Sequence, residues 1–329
     1  MKNYDLIIQT LKNHEAFKGD ILTDEPLAQK TTFKIGGKTD LFIAPQNYYS
    51  FQIAIETVLK NQTPFFILGG GSNLVFSDDG FKGAIISTGK FNDTEIFPVG
   101  DCPKEFGKIK LNKDQVLVTC FSGTPVAALV NFCTEHCISG VEQFAGLPGT
   151  IGGAVFMNAR CFEKSISDIL FSVSYMDYSN EKVILKKNKF NPDEWSYKKS
   201  PFQNKKEFIT TATFLLTQKK GRDKPHIESE CKKYINERIS KGHFKYPSAG
   251  SVFKNNHNFG KPSGKIIDEA GLRGYQIGGA KIADFHGNFI ININNASASD
   301  IKNLVEYTQK IILEKYGFTL EPEIIFVDN

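Results

Sequence analysis

Hydrophobic residues follow two patterns along the chain. Short uninterrupted apolar runs predict buried strands, which we place at 65–68, 83–86, 116–120, 213–216 and 324–327. Apolar residues at helical spacing predict helices, which we place at about 3–16, 47–60, 124–137, 223–241 and 299–316. Residues 30–45 have the pattern of a strand, a glycine turn and a second strand. This order of strands and helices predicts an α+β protein.

The last predicted helix has the clearest boundaries. Ser297 and Asp300 have the spacing of a capping box at its start, and Gly317 provides a stop at its end. Upstream, the polar and basic stretch 218–223 interrupts the strand pattern. We therefore predict three domains, which cover residues 1–114, 115–217 and 218–329.

Composition narrows the class of ligand. The net charge is +4 over 329 residues, and apolar or acidic residues separate the lysine pairs. A nucleic-acid-binding protein would carry a basic stripe, so we expect anionic small-molecule ligands and no nucleic acid. The first residues are too polar for a signal peptide, and no run approaches the ~18 apolar residues of a membrane span. We expect a cytoplasmic protein that does not bind membranes.

The six cysteines are dispersed along the chain, and in a chain without a signal sequence this predicts reduced thiols. The grouping of Cys133, His136 and Cys137 could suggest a metal site. These residues fall on a predicted helix, however, and we interpret the two cysteines as structural thiols. We expect no metal.

The strand at 65–68 leads directly into a glycine loop formed by Gly69, Gly70, Gly71, Ser72 and Asn73. Consecutive glycines allow positive φ and let an anion approach several N–H groups, while Ser72 and Asn73 can add side-chain donors. The loop therefore predicts a phosphate cradle. Neither this loop nor residues 260–265 fit the Walker pattern, and the loop also departs from the dinucleotide fingerprint. The nature of the phosphate stays open at this point.

A second glycine-rich turn covers residues 146–154, and the two turns could grip opposite ends of an elongated dinucleotide. Further along, residues 246–255 read Tyr-Pro-Ser-Ala-Gly-Ser-Val-Phe-Lys-Asn. With this segment the chain resembles the UDP-N-acetylenolpyruvoylglucosamine reductase (MurB) family. The resemblance covers nearly the whole chain and is carried by residues 32–37, both glycine turns, 250–255, 270–280 and 321–323.

The resemblance implies a two-lobed FAD-binding module of the PCMH/VAO-like type, followed by a smaller α/β substrate-binding domain at the C-terminus. It implies an enzyme that moves a hydride from NADPH through FAD to the enolpyruvyl ether of a UDP-sugar, giving UDP-N-acetylmuramate for peptidoglycan precursor synthesis. The first glycine loop would hold the FAD pyrophosphate. The ribityl chain and ring would lie along the second turn and one earlier glycine, namely Gly123, Gly146, Pro148, Gly149, Gly152 and Gly153. We expect non-covalent FAD, because neither histidine nor cysteine adjoins the first loop.

The chemistry of this reaction explains which catalytic residues it needs. Hydride transfer to the terminal methylene of the enolpyruvyl group leaves an enolate, which must be stabilised and then protonated at C2. Ser251 matches the proton donor of the family, with Lys254 as a candidate to polarise it, and Glu323 matches the catalytic glutamate. A serine that bonds its own turn is the alternative interpretation of Ser251.

Two departures from the family pattern concern positive charge. Lys198 stands where the family has an arginine that steadies the enolate, and lysine lacks the planar fork of a guanidinium. Arg160 introduces a new guanidinium after the second glycine turn. It could compensate for the missing arginine, or it could point outward or pair with Glu163. The candidates for substrate binding are Tyr197, Tyr246, Lys254 and Asn255.

Two other functions stay open at this stage. The chain could be another flavin oxidoreductase of the same superfamily, although Ser251 and Glu323 argue for the reductase. It could also be a catalytically degenerate protein that binds FAD or a UDP-sugar, because of Lys198. We expect a monomer whose ligands are a UDP-sugar and NADPH.

Overall fold

The computed structural model describes residues 4–97, 111–180 and 182–328. Its α-helices are α1 (Tyr4–Asn13), α2 (Tyr48–Lys60), α3 (Val126–Glu135), α4 (Ile151–Phe156), α5 (Lys224–Ser240), α6 (Ser263–Glu269) and α7 (Ala298–Tyr316).

The strands are β1 (Gly19–Pro26), β2 (Lys38–Pro45), β3 (Phe65–Leu68), β4 (Leu74–Phe76), β5 (Phe81–Ser87), β6 (Thr94–Phe97), β7 (Gln115–Phe121), β8 (Ile138–Ser139), β9 (Arg160–Cys161), β10 (Lys164–Ser165), β11 (Leu170–Asp177), β12 (Ile184–Lys189), β13 (Glu207–Gln218), β14 (Gln276–Ile277), β15 (Ala280–Ile282), β16 (Ile290–Asn292) and β17 (Ile325–Val327). Four of them form a sheet in the order β1-β2-β5-β3.

The chain folds into two compact units, and each is assembled from separate segments. The first unit comprises residues 1–21, 43–70 and 85–236. The second unit comprises residues 22–42, 71–84 and 237–329. The sequence analysis instead predicts three continuous domains, with boundaries after residues 114 and 217. That division stays a prediction about domains.

The first unit is built on an antiparallel sheet in the order β12-β11-β13-β7-β6, with β8 also paired to β13. Alternate residues of the central strands and the apolar faces of α3 and α4 meet in one core, because a half-covered sheet must bury its apolar face. Among the largest members of this core are Phe144, Phe202, Phe214, Ile151 and Ile209.

The second unit contains the antiparallel sheet β14-β15-β16 and the parallel pair β17-β4. Helices α6 and α7 share its core, which includes Phe33, Phe253, Ile267, Leu304 and Ile312. The predicted boundaries of α7 are confirmed. Asp300 N donates to Ser297 Oγ over 2.9 Å, Ser297 N donates to Asp300 Oδ2 over 3.0 Å, and Gly317 has a φ of 77°.

The predicted strand that begins at residue 30 is wrong. Residues Leu27–Lys30 form a short 3-10 helix, and within the described segment 27–37 no strand forms before β2 begins at Lys38. Thr31, Phe33 and Ile35 are buried, which reproduces the alternation of a strand. However, Lys34 N donates to Thr31 O over 3.3 Å and Lys34 has a φ of 59°, so the segment closes into a turn instead of extending.

The interpretation of Cys133 and Cys137 as structural thiols is confirmed, since Cys133 is buried and Cys137 half-buried. Burial raises the pKa of the Cys133 thiol and raises that of Cys120 to about 12. Cys102 lies outside the described residues. Within them, no group of three or more His, Cys, Asp or Glu side chains could hold a metal ion. Likewise, no helix there is long and apolar enough to cross a membrane.

Candidate active site

The two glycine loops meet within the first unit. A Cβ on Gly70 would lie only 2.5 Å from Gly149 Cα, and one on Gly69 would lie 2.8 Å from Thr150 Oγ1. Such distances are shorter than any real Cβ contact, so these positions require glycine. The loops adjoin each other, whereas the sequence suggests grips for opposite ends of a ligand. They would therefore contact neighbouring parts of one cofactor.

Some glycines of this region serve internal packing. A Cβ on Gly123 would lie 1.8 Å from Thr88 O, and one on Gly152 would lie 1.9 Å from Ser122 Oγ. Both glycines are buried, so a side chain at either position would point into the protein interior. We conclude that these two glycines allow backbone segments to approach, which shapes the second turn. Gly146 and Gly149 have φ of 75° and 102°, on either side of the exposed Pro148.

The surface where the loops meet fits FAD. Gly70 and Gly153 are exposed there, so two stretches of backbone lie open to a ligand without intervening side chains. The buried Thr150 Oγ1, which has no hydrogen-bond partner among the described residues, adjoins Gly69 and would lie 3.6 Å from a Cβ on Gly153. Bare backbone of this kind suits a phosphate or a flat ring system.

The rest of the first loop belongs to the second unit. Gly71 has a φ of 61°, and a Cβ there would lie 2.1 Å from Lys30 O. The Asn73 side chain donates from Nδ2 to Glu323 O over 3.0 Å, and Asn73 O accepts from Ile325 N over 3.0 Å. Asn73 is thus joined to the segment that carries Glu323. Contact of Ser72 and Asn73 with a pyrophosphate stays a prediction.

The structure brings Ser251 and Glu323 onto neighbouring backbone segments of the second unit. Glu323 N donates to Val252 O over 2.7 Å, and Phe253 pairs with Pro322 in an isolated antiparallel bridge. Both Ser251 and Glu323 are half-buried, so each retains access to a ligand. Two residues separated by more than seventy positions are therefore placed together, as a shared catalytic role requires.

Three candidates for substrate binding lie in the same unit. Lys254 Nζ pairs with Glu321 Oε1 over 2.6 Å, so its charge is already balanced, which weakens it as a group that polarises Ser251. Asn255 Oδ1 accepts from Ser263 N over 2.9 Å at the start of α6. Tyr246 is exposed. Their contact with a UDP-sugar stays a prediction.

Lys198 and Tyr197 lie at the tip of a tight turn in the first unit. Ser196 and Lys199 close the turn with paired backbone hydrogen bonds, and Lys198 has a φ of 58°. Such a conformation costs a non-glycine residue roughly 1 kcal/mol, so the surrounding structure must maintain it. Lys198 Nζ lies 6.0 Å from the centre of the Tyr197 ring.

A buried asparagine supports that turn. Asn158 Nδ2 donates to Ser196 O over 2.8 Å, and its Oδ1 accepts from Ser167 N over 3.1 Å. Gln203 Nε2 adds a bond of 3.1 Å to Lys198 O.

Arg160, which follows Asn158 closely in the sequence, forms an ion pair with Glu163. The structure therefore supports the alternative in which Arg160 pairs with Glu163 over the one in which it replaces the family arginine.

Two histidines adjoin the segment that pairs with Ser251. Phe289 forms an isolated bridge with Ser251, and its ring contacts those of His243 and His286 at 4.8 Å and 4.7 Å between centroids. Burial lowers the pKa of His243 to about 4, with a smaller effect from Arg238, and burial also lowers the pKa of His286. Both rings are therefore neutral at neutral pH.

Sequence reasoning missed Asn288, whose side chain hydrogen-bonds both the N–H and the carbonyl oxygen of Phe253. It lies beside Phe289 and is 4% exposed. The available signal was a polar residue directly before the apolar run 289–291. That signal alone does not distinguish a buried clamp from a turn residue.

Two stretches of the chain match known family models. Residues 39–184 match an FAD binding domain, and residues 242–327 match the C-terminal domain of UDP-N-acetylenolpyruvoylglucosamine reductase. The fold and the glycine surface thus define an FAD-dependent oxidoreductase, and the predicted fold class and the predicted FAD cofactor are confirmed.

Whole-chain similarity identifies the family. UDP-N-acetylenolpyruvoylglucosamine reductase of Treponema denticola is 41% identical over 98% of both chains, and that of Borreliella burgdorferi is 40% identical over 92% of both. The crystal structure of the reductase (MurB) from Thermus caldophilus has a TM-score of 0.68 and 27% identity, covering 95% of this chain and 100% of that one. The chain belongs to the UDP-N-acetylenolpyruvoylglucosamine reductase family.

Proposed function

We propose that this chain catalyses the NADPH-dependent reduction of UDP-N-acetylenolpyruvoylglucosamine to UDP-N-acetylmuramate. The observation that carries the proposal is the pairing of the Ser251 segment with the Glu323 segment through the 2.7 Å bond from Glu323 N to Val252 O. Family membership supports the same reaction. We expect the enzyme to act as a cytoplasmic monomer in peptidoglycan precursor synthesis.

Gly70 and Gly153 would hold FAD through their exposed backbone, with the half-buried Gly69 and Gly149 beside them where the two loops pack together. When bound, FAD supplies the relay that accepts a hydride from NADPH and passes it to the substrate. We expect the cofactor to be bound without a covalent bond. The remaining glycines of the two loops shape the backbone around this surface, whereas the residues described next act on the substrate.

The chain must manage one pair of electrons and one proton on the substrate. A hydride forms a C–H bond at the terminal methylene, and the π electrons of the double bond move toward C2 and the carboxylate. Ser251 then donates its hydroxyl proton to C2, which completes the saturated product, and solvent restores the hydroxyl. Positioned donors of this kind typically contribute about 10²–10⁴-fold to the rate.

Lys198 would stabilise the negative charge that develops on the enolate, and Glu323 would assist the proton transfer. The ammonium of Lys198 is a compact charge that can stabilise an enolate, although it lacks the bidentate geometry of the family arginine. The half-buried Glu323 would act beside Ser251, whose backbone neighbour it contacts. Tyr197, Tyr246, Lys254 and Asn255 are proposed to bind the UDP-sugar, with Lys254 constrained by its ion pair to Glu321.

Steady-state kinetics of the purified protein loaded with FAD tests the proposal. We expect NADPH consumption that depends on the enolpyruvyl UDP-sugar, with one UDP-N-acetylmuramate formed for each NADPH oxidised. The product is identified by mass spectrometry. NADPH consumption by another acceptor, with none of this product, would favour a different flavin oxidoreductase. Binding of FAD and UDP-sugar without turnover would favour a catalytically degenerate protein.

A further inference from the structure

Asn288 forms three hydrogen bonds with the two residues that follow Ser251. Its backbone oxygen accepts from Val252 N over 2.9 Å. Its side-chain Oδ1 accepts from Phe253 N over 2.8 Å, and its Nδ2 donates to Phe253 O over 2.8 Å. One buried residue thus fixes both polar groups of Phe253 and the N–H of Val252.

The same backbone segment is bonded to the segment of Glu323. Val252 is held by Asn288 through its N–H and by Glu323 through its carbonyl oxygen, and Ser251 itself pairs with Phe289. Asn288 therefore links the position of Ser251 to that of Glu323 by way of a single intervening residue. A substitution of the Asn288 side chain removes its two bonds to Phe253 and leaves the backbone bond to Val252 in place.

The chemistry of this clamp requires an amide. Phe253 presents one donor and one acceptor, and an asparagine side chain offers one of each in a planar group. An ionised aspartate would still accept from Phe253 N, but it would direct a second acceptor at Phe253 O and repel it. His286 Nδ1 accepts a hydrogen bond from Asn288 N over 3.1 Å, which holds the backbone of Asn288 in place.

We propose that Asn288 is a positioning residue for proton transfer from Ser251 to C2 of the substrate. The inference rests on the proposed function, because Asn288 would position the Ser251 hydroxyl. That hydroxyl acts only in the second half-reaction, the reduction of the substrate. Hydride transfer from NADPH to the cofactor does not require that proton. Hydride transfer to the substrate can reverse until C2 is protonated, so loss of the clamp should selectively slow net substrate reduction and the flavin reoxidation that accompanies it.

The test compares Asn288→Asp with wild type and with Ser251→Ala in anaerobic stopped-flow experiments on the FAD-loaded enzyme. Asn292→Asp is the matched control, since Asn292 also bridges two backbone groups of this unit, Phe33 O over 3.1 Å and Ala296 N over 2.9 Å. We expect Asn288→Asp to slow flavin reoxidation by the enolpyruvyl UDP-sugar about 10–100-fold, the cost of a small misplacement of a reacting group. Flavin reduction by NADPH should stay within about twofold of wild type.

The solvent isotope effect on flavin reoxidation separates positioning from general damage. If proton donation becomes slower than hydride transfer, the effect should be larger in Asn288→Asp than in wild type and unchanged in Asn292→Asp. If Asn288→Asp merely reduced the fraction of active enzyme, the solvent isotope effect would be the same as in wild type. Asn288→Ser, which replaces the two polar atoms of the amide by one hydroxyl on a shorter side chain, should show an intermediate loss.

Three results would overturn the inference. These are equal losses in the two half-reactions, reoxidation as fast as in wild type, and failure of both Asn288 variants to fold with FAD, which would assign the residue to folding. The proposed function fails separately, if wild-type enzyme reduced by NADPH is not reoxidised by the enolpyruvyl UDP-sugar.

Discussion

The side-chain nitrogen of Asn73 donates a hydrogen bond of 3.0 Å to the carbonyl oxygen of Glu323. Ile325 N returns a bond of 3.0 Å to Asn73 O, so the end of the first glycine loop is joined to the segment of the catalytic candidate by two bonds. This junction lies within the second unit. It gives a physical route by which the loop proposed to hold the cofactor constrains Glu323.

Removing the Asn73 amide tests this junction. Asn73→Ala leaves a partly buried carbonyl without its donor, which should lower the free energy of unfolding by about 1–2 kcal/mol. Thermal unfolding of the apoprotein measures the change. Asn92→Ala is the control, because the bond of Asn92 to Gly89 O is exposed to water. Equal melting temperatures for wild type and Asn73→Ala would contradict the structural role.

Lys198 and Arg160 are expected to differ sharply when each is truncated. Lys198→Ala should slow flavin reoxidation by the substrate about 10²–10³-fold, the usual cost of losing one group that stabilises developing negative charge. Arg160→Ala should change that rate less than about twofold, because an exposed pair with Glu163 contributes little. Single-turnover absorbance measurements give both rates. A loss in Arg160→Ala as large as that in Lys198→Ala would show that Arg160 acts on the enolate.

Gly123 should tolerate no side chain. A Cβ there would lie 1.8 Å from Thr88 O, so Gly123→Ala must displace backbone and should cost about 2 kcal/mol or more. At Gly221, by contrast, an added Cβ would meet nothing within 4 Å, and Gly221→Ala is the matched control. Chemical unfolding and the amount of FAD retained on purification report the effect. Equal stability of the two variants would contradict the packing at Gly123.

Acid should destabilise the second unit through its neutral histidines. Burial holds the pKa of His243 near 4 in the folded state against 6.5 ordinarily, so the unfolded chain binds a proton that the folded chain excludes. Stability should therefore fall as the pH decreases from 6.5 toward 4, by roughly 1–2 kcal/mol after allowance for the partial exposure of the ring. His286 acts in the same direction.

The pH dependence of unfolding in His243→Gln checks this expectation. The variant lacks the titrating ring, so its free energy of unfolding should fall less than that of wild type between pH 6.5 and 4. Arg238, Lys241 and Glu237 also face His243, and the variant retains all three. Parallel curves for the two proteins would refute the assignment.

Local signals in the sequence predicted much of the fold correctly. The helix at α7 was bounded by Ser297 and Gly317, because a capping box and a stop glycine act within a few residues. The strand predicted from residue 30 was wrong because a turn there has the same pattern of buried residues as a strand. Burial of Thr31, Phe33 and Ile35 alternates as in a strand, yet the backbone forms a turn that the pattern cannot distinguish.

Long-range features were beyond the sequence pattern. Both compact units are assembled from separate segments, and the bonds of Asn73 and Asn288 join residues far apart in the chain. A polar residue that clamps a distant backbone gives no periodic signal. Ser251, Glu323 and Lys198 were predicted as catalytic residues through the family resemblance and stay predictions, while the pairing of Arg160 with Glu163 needed the structure to decide.

The flavin spectrum of the purified protein tests the central claim most directly. We predict a yellow protein whose flavin absorbance is bleached by NADPH under anaerobic conditions and returns only when the enolpyruvyl UDP-sugar is added. Ser251→Ala should bleach as wild type does and recover its colour at least about 10²-fold more slowly. A purified protein without flavin absorbance, or a bleached flavin that the enolpyruvyl UDP-sugar does not reoxidise, would contradict the account.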